Sequence, residues 1–219
     1  IYPNTYGMNM LPPAIALFSS LLKNEGHEVE IFDTTYYNLD YGIDSDGSKV
    51  DKLNVVPYSM EEKGIKRKET NWKQDLDELV KKFKPNLLAI SSTEDMWELG
   101  MQILSHLEEY KIKNNIPVIA GGVFATFAPD ICIKNKLVDI VCVGEGENAL
   151  LDLCKKIQNK ETYDNLTNCW VKAKSPEYLK SDTQIIKNGI SSPVDINENP
   201  KIDISLFEEN RLYRPMSGQ

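Results

Sequence analysis

Histidine is almost absent from this chain: there are two, His27 and His106. The four cysteines, Cys132, Cys142, Cys154 and Cys169, include no C-x-x-C pair. No zinc-type cluster can be assembled from these residues by spacing, and no cysteine has a histidine neighbour that would activate it as a nucleophile. No serine stands in a G-x-S-x-G context, and no G-x-G-x-x-G follows the first strand, which argues against an α/β-hydrolase and a nicotinamide dehydrogenase. Apolar runs are short, the longest lying near Val118 to Ala120, so neither a secretory segment nor a membrane span is expected. Positive charge is also in deficit. With 25 Lys+Arg against 33 Asp+Glu the formal charge is -8, a surface that repels nucleic-acid backbones. The one basic cluster, Lys63, Lys66, Arg67 and Lys68, is interleaved with Glu61, Glu62 and Glu69 and reads as a solvated face. Unpaired cysteines fit reduced thiols in the cytoplasm. The chain opens on Ile1-Tyr2-Pro3 without an initiator Met and closes at Met216-Ser217-Gly218-Gln219 without a terminal element; both ends read as cuts in a longer polypeptide.

What is present is an α/β rhythm. Ala14 to Asn24 places Ile15, Leu17, Phe18, Leu21 and Leu22 at helical spacing, with Pro12-Pro13 suited to its start and Gly26 to its end. His27 to Asp33 alternates as a strand does. Residues 34–70 are polar and too long for an ordinary connection, so they form an insertion or long loop. Trp72 to Phe83 is an amphipathic helix. Three strands are then expected: Asn86 to Ser92, Ile116 to Ala120 and Val138 to Val143. They alternate with helices over Asp95 to Lys113, Pro129 to Asn135 and Asn148 to Gln158. Such alternation calls for a doubly wound parallel sheet with helices on both faces. Its first strand is central, yet only Ile1 and Tyr2 remain to supply it. The α/β unit is expected over residues 1–160. Residues 161–219 are expected to add a small hairpin (Cys169 to Ala173 with Gln184 to Lys187), a linker, and the basic-aromatic tail Arg211-Leu212-Tyr213-Arg214.

In such a sheet ligands bind outside the carboxyl ends of the strands. The loops there are Pro3 to Met10 (with Asn4, Thr5, Tyr6, Gly7 and Met8), Ser91-Ser92-Thr93, Gly121-Gly122-Val123-Phe124-Ala125-Thr126, and Gly144-Glu145-Gly146. The glycine pair lets a large group approach the main chain, the hydroxyls can donate and accept, and Gly144-x-Gly146 opens a helix with free amides. Glu145 and Glu147 show nothing that favours a general-acid pair over a capping role. No catalytic residue and no metal ligand is assigned. A receiver-like regulator is disfavoured by Asn4 in the first loop, where an acidic cluster is needed, and by Ser91 to Thr93 at the third strand end, where an Asp is needed.

The order PPAIALFSSLLKNEGHEVEIFD, NLLAISS, IPVIAGGVFATFAPD and VDIVCVGEGENALLDL resembles the cobalamin (vitamin B12)-binding domain found ahead of radical S-adenosylmethionine domains. The resemblance covers about Pro3 to Gln158 and is carried most specifically by Gly121-Gly122-x-x-Ala125-Thr126 and Gly144 to Glu147. It implies a flavodoxin-like (Rossmann-like) fold. It also implies a corrinoid whose nucleotide tail enters beside Ser91 to Thr93 and Gly121-Gly122, with the lower corrin face on the Pro3 to Met10 loop. Methionine-synthase-type domains carry D-x-H-x-x-G after the first strand; this chain has no histidine there. The resemblance therefore implies base-off cobalamin with no His ligand from this chain. It also implies a following radical S-adenosylmethionine domain with a [4Fe–4S] cluster, to which the module supplies a methyl group or redox-active cobalt. The alternative is a degenerate docking domain that no longer binds cobalamin, its corrin space filled by Phe124 and Phe127.

Overall fold

The computed structural model describes residues 1–6, 11–39, 61–173 and 184–212. Three short apolar strands form its centre: β1 (Leu88–Ser91), β2 (Val118–Gly121) and β3 (Ile140–Cys142). They pair in parallel, Leu88 opposite Val118 and Ile119 opposite Ile140. Parallel neighbours need crossovers. The first is made by α3 (Glu94–His106) and α4 (Glu108–Asn114), the second by α5 (Val123–Phe127) and α6 (Pro129–Lys134). Before β1 lie α1 (Pro13–Asn24) and α2 (Trp72–Phe83), and after β3 comes α7 (Glu147–Asn159).

Ile1 and Tyr2 occupy the central slot. The Ile1 nitrogen donates to the Ala89 carbonyl at 2.7 Å, and the Ser91 N–H donates to the Ile1 carbonyl at 3.3 Å. On their other side the Tyr2 N–H donates to Phe32 at 2.8 Å and the Thr34 N–H to Tyr2 at 3.2 Å. The order is therefore residues 32–34, residues 1–2, β1, β2, β3, which is the flavodoxin-like arrangement. The strand expected over His27 to Asp33 appears as one bridge, Asp33 to Tyr2.

Helices cover both faces. Phe18 and Leu22 of α1 and Leu150 and Leu153 of α7 pack over Ile119 and Ile140. Leu76 and Val80 of α2, Leu99 and Ile103 of α3 and Ile133 of α6 pack over Ile90, Val118, Ala120 and Val141. Each fully buried side chain among these contributes about 1.5–3 kcal/mol. Local signals set the helix ends. The Asn71 side chain accepts from the Lys73 N–H at 2.9 Å to cap α2, and Lys84 and Lys160 close α2 and α7 in the left-handed conformation. The single helix expected over Asp95 to Lys113 breaks at Leu107, whose side chain turns into the core at 1% exposure.

The C-terminal hairpin forms where it is expected, as β4 (Cys169–Lys172) and β5 (Ile185–Lys187). β4 pairs antiparallel with β3, so the hairpin extends the parallel sheet across residue 160 and makes it mixed. It covers the outer edge of β3, whose backbone groups would otherwise lack partners. The expected linker is packed down through Leu212. Asp203 takes an ion pair from Lys23 at 2.6 Å and a hydrogen bond from Ser19 at 2.7 Å, and the Ser20 hydroxyl donates to the Lys201 carbonyl at 2.6 Å. Arg211, its side chain 1% exposed, pairs with Asp33 at 2.9 Å. Tyr213 and Arg214 of the expected tail lie outside the described residues, as do residues 40–60 of the insertion. Among the described residues no helix is long and apolar enough to cross a membrane.

Candidate cofactor-binding site

Parallel pairing of β1, β2 and β3 brings the loops that follow them to one edge of the sheet. Hydrogen bonds join those loops into a continuous rim. The Ser92 N–H donates to Gly121 and the Phe124 N–H to Ser92, both at 3.3 Å. The Thr126 hydroxyl donates to the Gly122 carbonyl at 3.0 Å and accepts from the Gly144 N–H at 3.1 Å. The conformation depends on glycine at two points. Gly122 has φ +91°, and a Cβ there would stand 2.8 Å from the Ser92 carbonyl oxygen and 2.9 Å from Ser91 Oγ. Gly144, at φ +84°, has open space where a Cβ would project.

The first loop meets this rim beside β1, where the strand order reverses and ligand crevices form. Asn4 is buried and committed to structure: its N–H donates to Thr34 Oγ1 and its side-chain amide to Thr35 Oγ1, both at 2.8 Å. Thr5 is buried too, but among the described residues its hydroxyl has no hydrogen-bond partner, and the same holds for buried Ser92. A buried unpartnered hydroxyl costs roughly 1–3 kcal/mol, and the Tyr36 hydroxyl shares this condition. Tyr6 donates to the Ile65 carbonyl at 3.0 Å and carries the Arg67 guanidinium over its ring at 4.4 Å. The returning end of the insertion therefore lies against the first loop. Gly7 and Met8 fall outside the described residues.

The remaining expected residues divide by environment. Ser91 is half-buried and Thr93 exposed at the start of α3. Ala125 is buried, while Val123 and Phe127 project to solvent at 61% and 84% exposure. Phe124 lies against Trp97, ring centres 5.3 Å apart. Gly146 caps α7. Glu145 faces away from the crevice: its carboxylate accepts from the Val194 N–H and its carbonyl from the Asn168 side chain, both at 2.8 Å.

Sequence reasoning missed Asn168. It is buried, adopts φ +64°, and besides gripping Glu145 accepts from the Ser191 N–H at 2.7 Å. The readable signal was an Asn just before a strand, a residue that tolerates the left-handed region. Asp33, Thr34 and Thr35 were also missed. Their partners, Asn4 and Arg211, are remote in sequence, so no local pattern points to them.

Neither histidine reaches the rim. His106 ends α3, bonded to Asp77 at 2.9 Å, and His27 follows α1 at the opposite edge of the sheet. A cavity of about 890 Å³ opens elsewhere, between residues 66–73 and α3. Its wall is largely polar and it does not include the Thr5 and Ser92 hydroxyls.

Residues 53–154 match the B12 binding domain. The matched segment contains three of the four rim loops, those after β1, β2 and β3, and excludes the first. The B12-binding match agrees with the solved structures that this chain resembles. The cobalamin-dependent S-adenosylmethionine radical enzyme OxsB, with aqua-cobalamin and S-adenosylmethionine bound, aligns over 94% of this chain at 15% identity and a TM-score of 0.64. The radical S-adenosylmethionine methyltransferase TsrM from Kitasatospora setae, with tryptophan substrate and a SAM analog bound, aligns over 79% at 17% identity and a TM-score of 0.55. TsrM has also been solved with cobalamin and a [4Fe–4S] cluster bound. At these identities the likeness shows the fold, and this chain spans 24% of OxsB and 28% of TsrM. No curated protein sequence matches the chain.

Proposed function

We propose that this chain is a cobalamin-binding module that serves a radical S-adenosylmethionine domain. The observation that carries the reading is the pair of buried, unpartnered hydroxyls, Thr5 and Ser92, at the point where the strand order reverses. The B12-binding match over the adjoining loops supplies the ligand class. In this reading the corrinoid's nucleotide tail enters between Ser91–Thr93 and Gly121–Gly122, where Ser92 and Thr5 satisfy their hydroxyls on its polar atoms. Gly144 leaves room beside it, and Val123 offers apolar surface to the ring. The corrin's lower face rests on the first loop. No imidazole of this chain reaches the rim, which supports a base-off cofactor without a protein histidine. Bound cobalamin supplies a methyl group or redox-active cobalt; this chain's residues hold and orient it. A [4Fe–4S] cluster and S-adenosylmethionine then belong to the partner domain, and the cytoplasm is the compartment in which four unpaired cysteines stay reduced.

The degenerate-docking alternative requires Phe124 and Phe127 to fill the corrin space. Phe127 is 84% exposed and Phe124 packs against Trp97, which weakens it. Titration with hydroxocobalamin tests the reading directly. A saturable absorbance change and co-elution on gel filtration are expected; free passage of the corrinoid at saturating protein would refute it.

A further inference from the structure

The β3–β4 pairing sets Cys142 directly opposite Cys169. The Val143 N–H donates to the Asn168 carbonyl at 2.7 Å, so residues 143 and 168 form a hydrogen-bonded pair and the next pair, 142 and 169, a non-bonded one. In such pairs the Cα atoms approach to about 4.5 Å with both side chains on one face, within the span a disulfide bridges. Both cysteines are free, buried and part of the same apolar cluster. They also lie directly beneath the rim. The Cys142 thiol faces the Glu145 carbonyl at 3.7 Å, and its sulfur lies 3.6 Å from where a Gly146 Cβ would stand. Asn168, which holds that same carbonyl, is covalently next to Cys169.

We propose that Cys142 and Cys169 form a reversible cross-strand disulfide on exposure to a peroxide, and that the bridge loosens the Gly144–Gly146 loop. Cys142 sulfur attacks one peroxide oxygen, the O–O bond breaks, and water leaves as Cys142 becomes a sulfenic acid. Cys169 sulfur then displaces the sulfenic oxygen, forming the S–S bond and a second water. Two thiols lose two electrons and one hydrogen peroxide becomes two waters. A hydrogen bond from the Cys169 thiol favours the Cys142 thiolate and disfavours that of Cys169, which makes Cys142 the attacking sulfur. Cys132 and Cys154 have no such partner, and burial pushes their thiols up to about 11. Opposed Cβ atoms in antiparallel strands stand about 4.5–5.5 Å apart, closest in non-bonded pairs, at the upper limit for a disulfide, so closing the bridge draws the strands slightly together. A bridge strained in this way is readily reduced. Its formation removes the thiol donor from the Glu145 carbonyl.

Only the consequence for cofactor affinity rests on the cobalamin reading. The reduced chain is treated with hydrogen peroxide, alkylated, digested and analysed by mass spectrometry, with amide hydrogen exchange followed over residues 143–149. A dithiothreitol-reversible link between the peptides of Cys142 and Cys169 is expected, with Cys132 and Cys154 alkylated. Exchange in the loop should be about tenfold faster, a difference of about 1.4 kcal/mol in opening. Oxidation of Cys142 without a link to Cys169 overturns the proposal. So does a link that leaves loop exchange unchanged, or the same change in exchange in Cys169→Ser. A reduced chain that ignores hydroxocobalamin refutes the cobalamin reading alone, because neither readout uses the corrinoid.

Discussion

The two ends of the rim treat their polar groups in opposite ways. Around Gly144–Gly146 hydrogen-bonding capacity is used within the chain: Asn168 holds the Glu145 carbonyl, Val194 its carboxylate, and Thr126 the Gly144 amide. At the crevice beside β1, Thr5 and Ser92 keep hydroxyls that are buried and unpartnered. The first end is held by the chain's own groups; at the second, folding alone gains nothing from an unsatisfied buried hydroxyl, and in the proposed cobalamin reading the ligand supplies the partner. Mutations at the first end should therefore cost stability, and mutations at the second should cost binding.

The largest effect is expected at Arg211, which anchors Asp33, the neighbour of the Thr34 and Thr35 residues that hold Asn4. Arg211→Ala leaves Asp33 without its guanidinium and should destabilise the chain by about 3–5 kcal/mol in urea unfolding; a loss below about 1 kcal/mol would show that the C-terminal segment is not structural. Asn168→Ala strips partners from the Glu145 carbonyl and the Ser191 amide, and about 2–3 kcal/mol should disappear. Asn168→Gly strips the same partners but spares the strain of a left-handed alanine, so its loss should be smaller by about 1 kcal/mol. Ser92→Ala and Thr5→Val sharpen the contrast. Unfolding free energy should stay within about 1 kcal/mol or rise, while hydroxocobalamin affinity falls about tenfold in titration. Equal losses in both quantities would erase the distinction between the two ends.

The smallest effect is a pH dependence in the packed-down segment. Hydrogen bonds from Lys23, Ser19 and Ser205 hold the Asp203 carboxyl well below its ordinary value of 3.8. A carboxyl lowered on folding stabilises fully above its unfolded value and loses that contribution as pH falls towards the folded one. Exchange protection around residues 201–206 should thus decline below about pH 4, and Asp203→Asn should flatten the decline.

Much of the fold was legible because it is written in local periodicity. Trp72 to Phe83 begins and ends where its apolar spacing says it should, and β1 to β3 emerge from short apolar runs. The rim loops were legible as well, because glycines and hydroxyls following apolar runs mark strand ends. The break at Leu107 was not legible, since it answers to the core around that side chain rather than to its neighbours in sequence. The commitment of Asn4 to Thr34 and Thr35 was hidden for the same reason, and so was the seating of Arg211 on Asp33.

By itself, then, the sequence determined the alternation of elements, the parallel centre of the sheet and the glycine- and hydroxyl-rich loops that follow its strands, because repeat spacing and turn residues act over a few positions. Tertiary structure alone decided that the hairpin extends the same sheet and that Arg211 returns to pair with Asp33. It also decided which hydroxyls at the rim are left without partners. Those outcomes depend on hydrogen bonds between segments far apart along the chain, and no local pattern encodes which distant group will arrive.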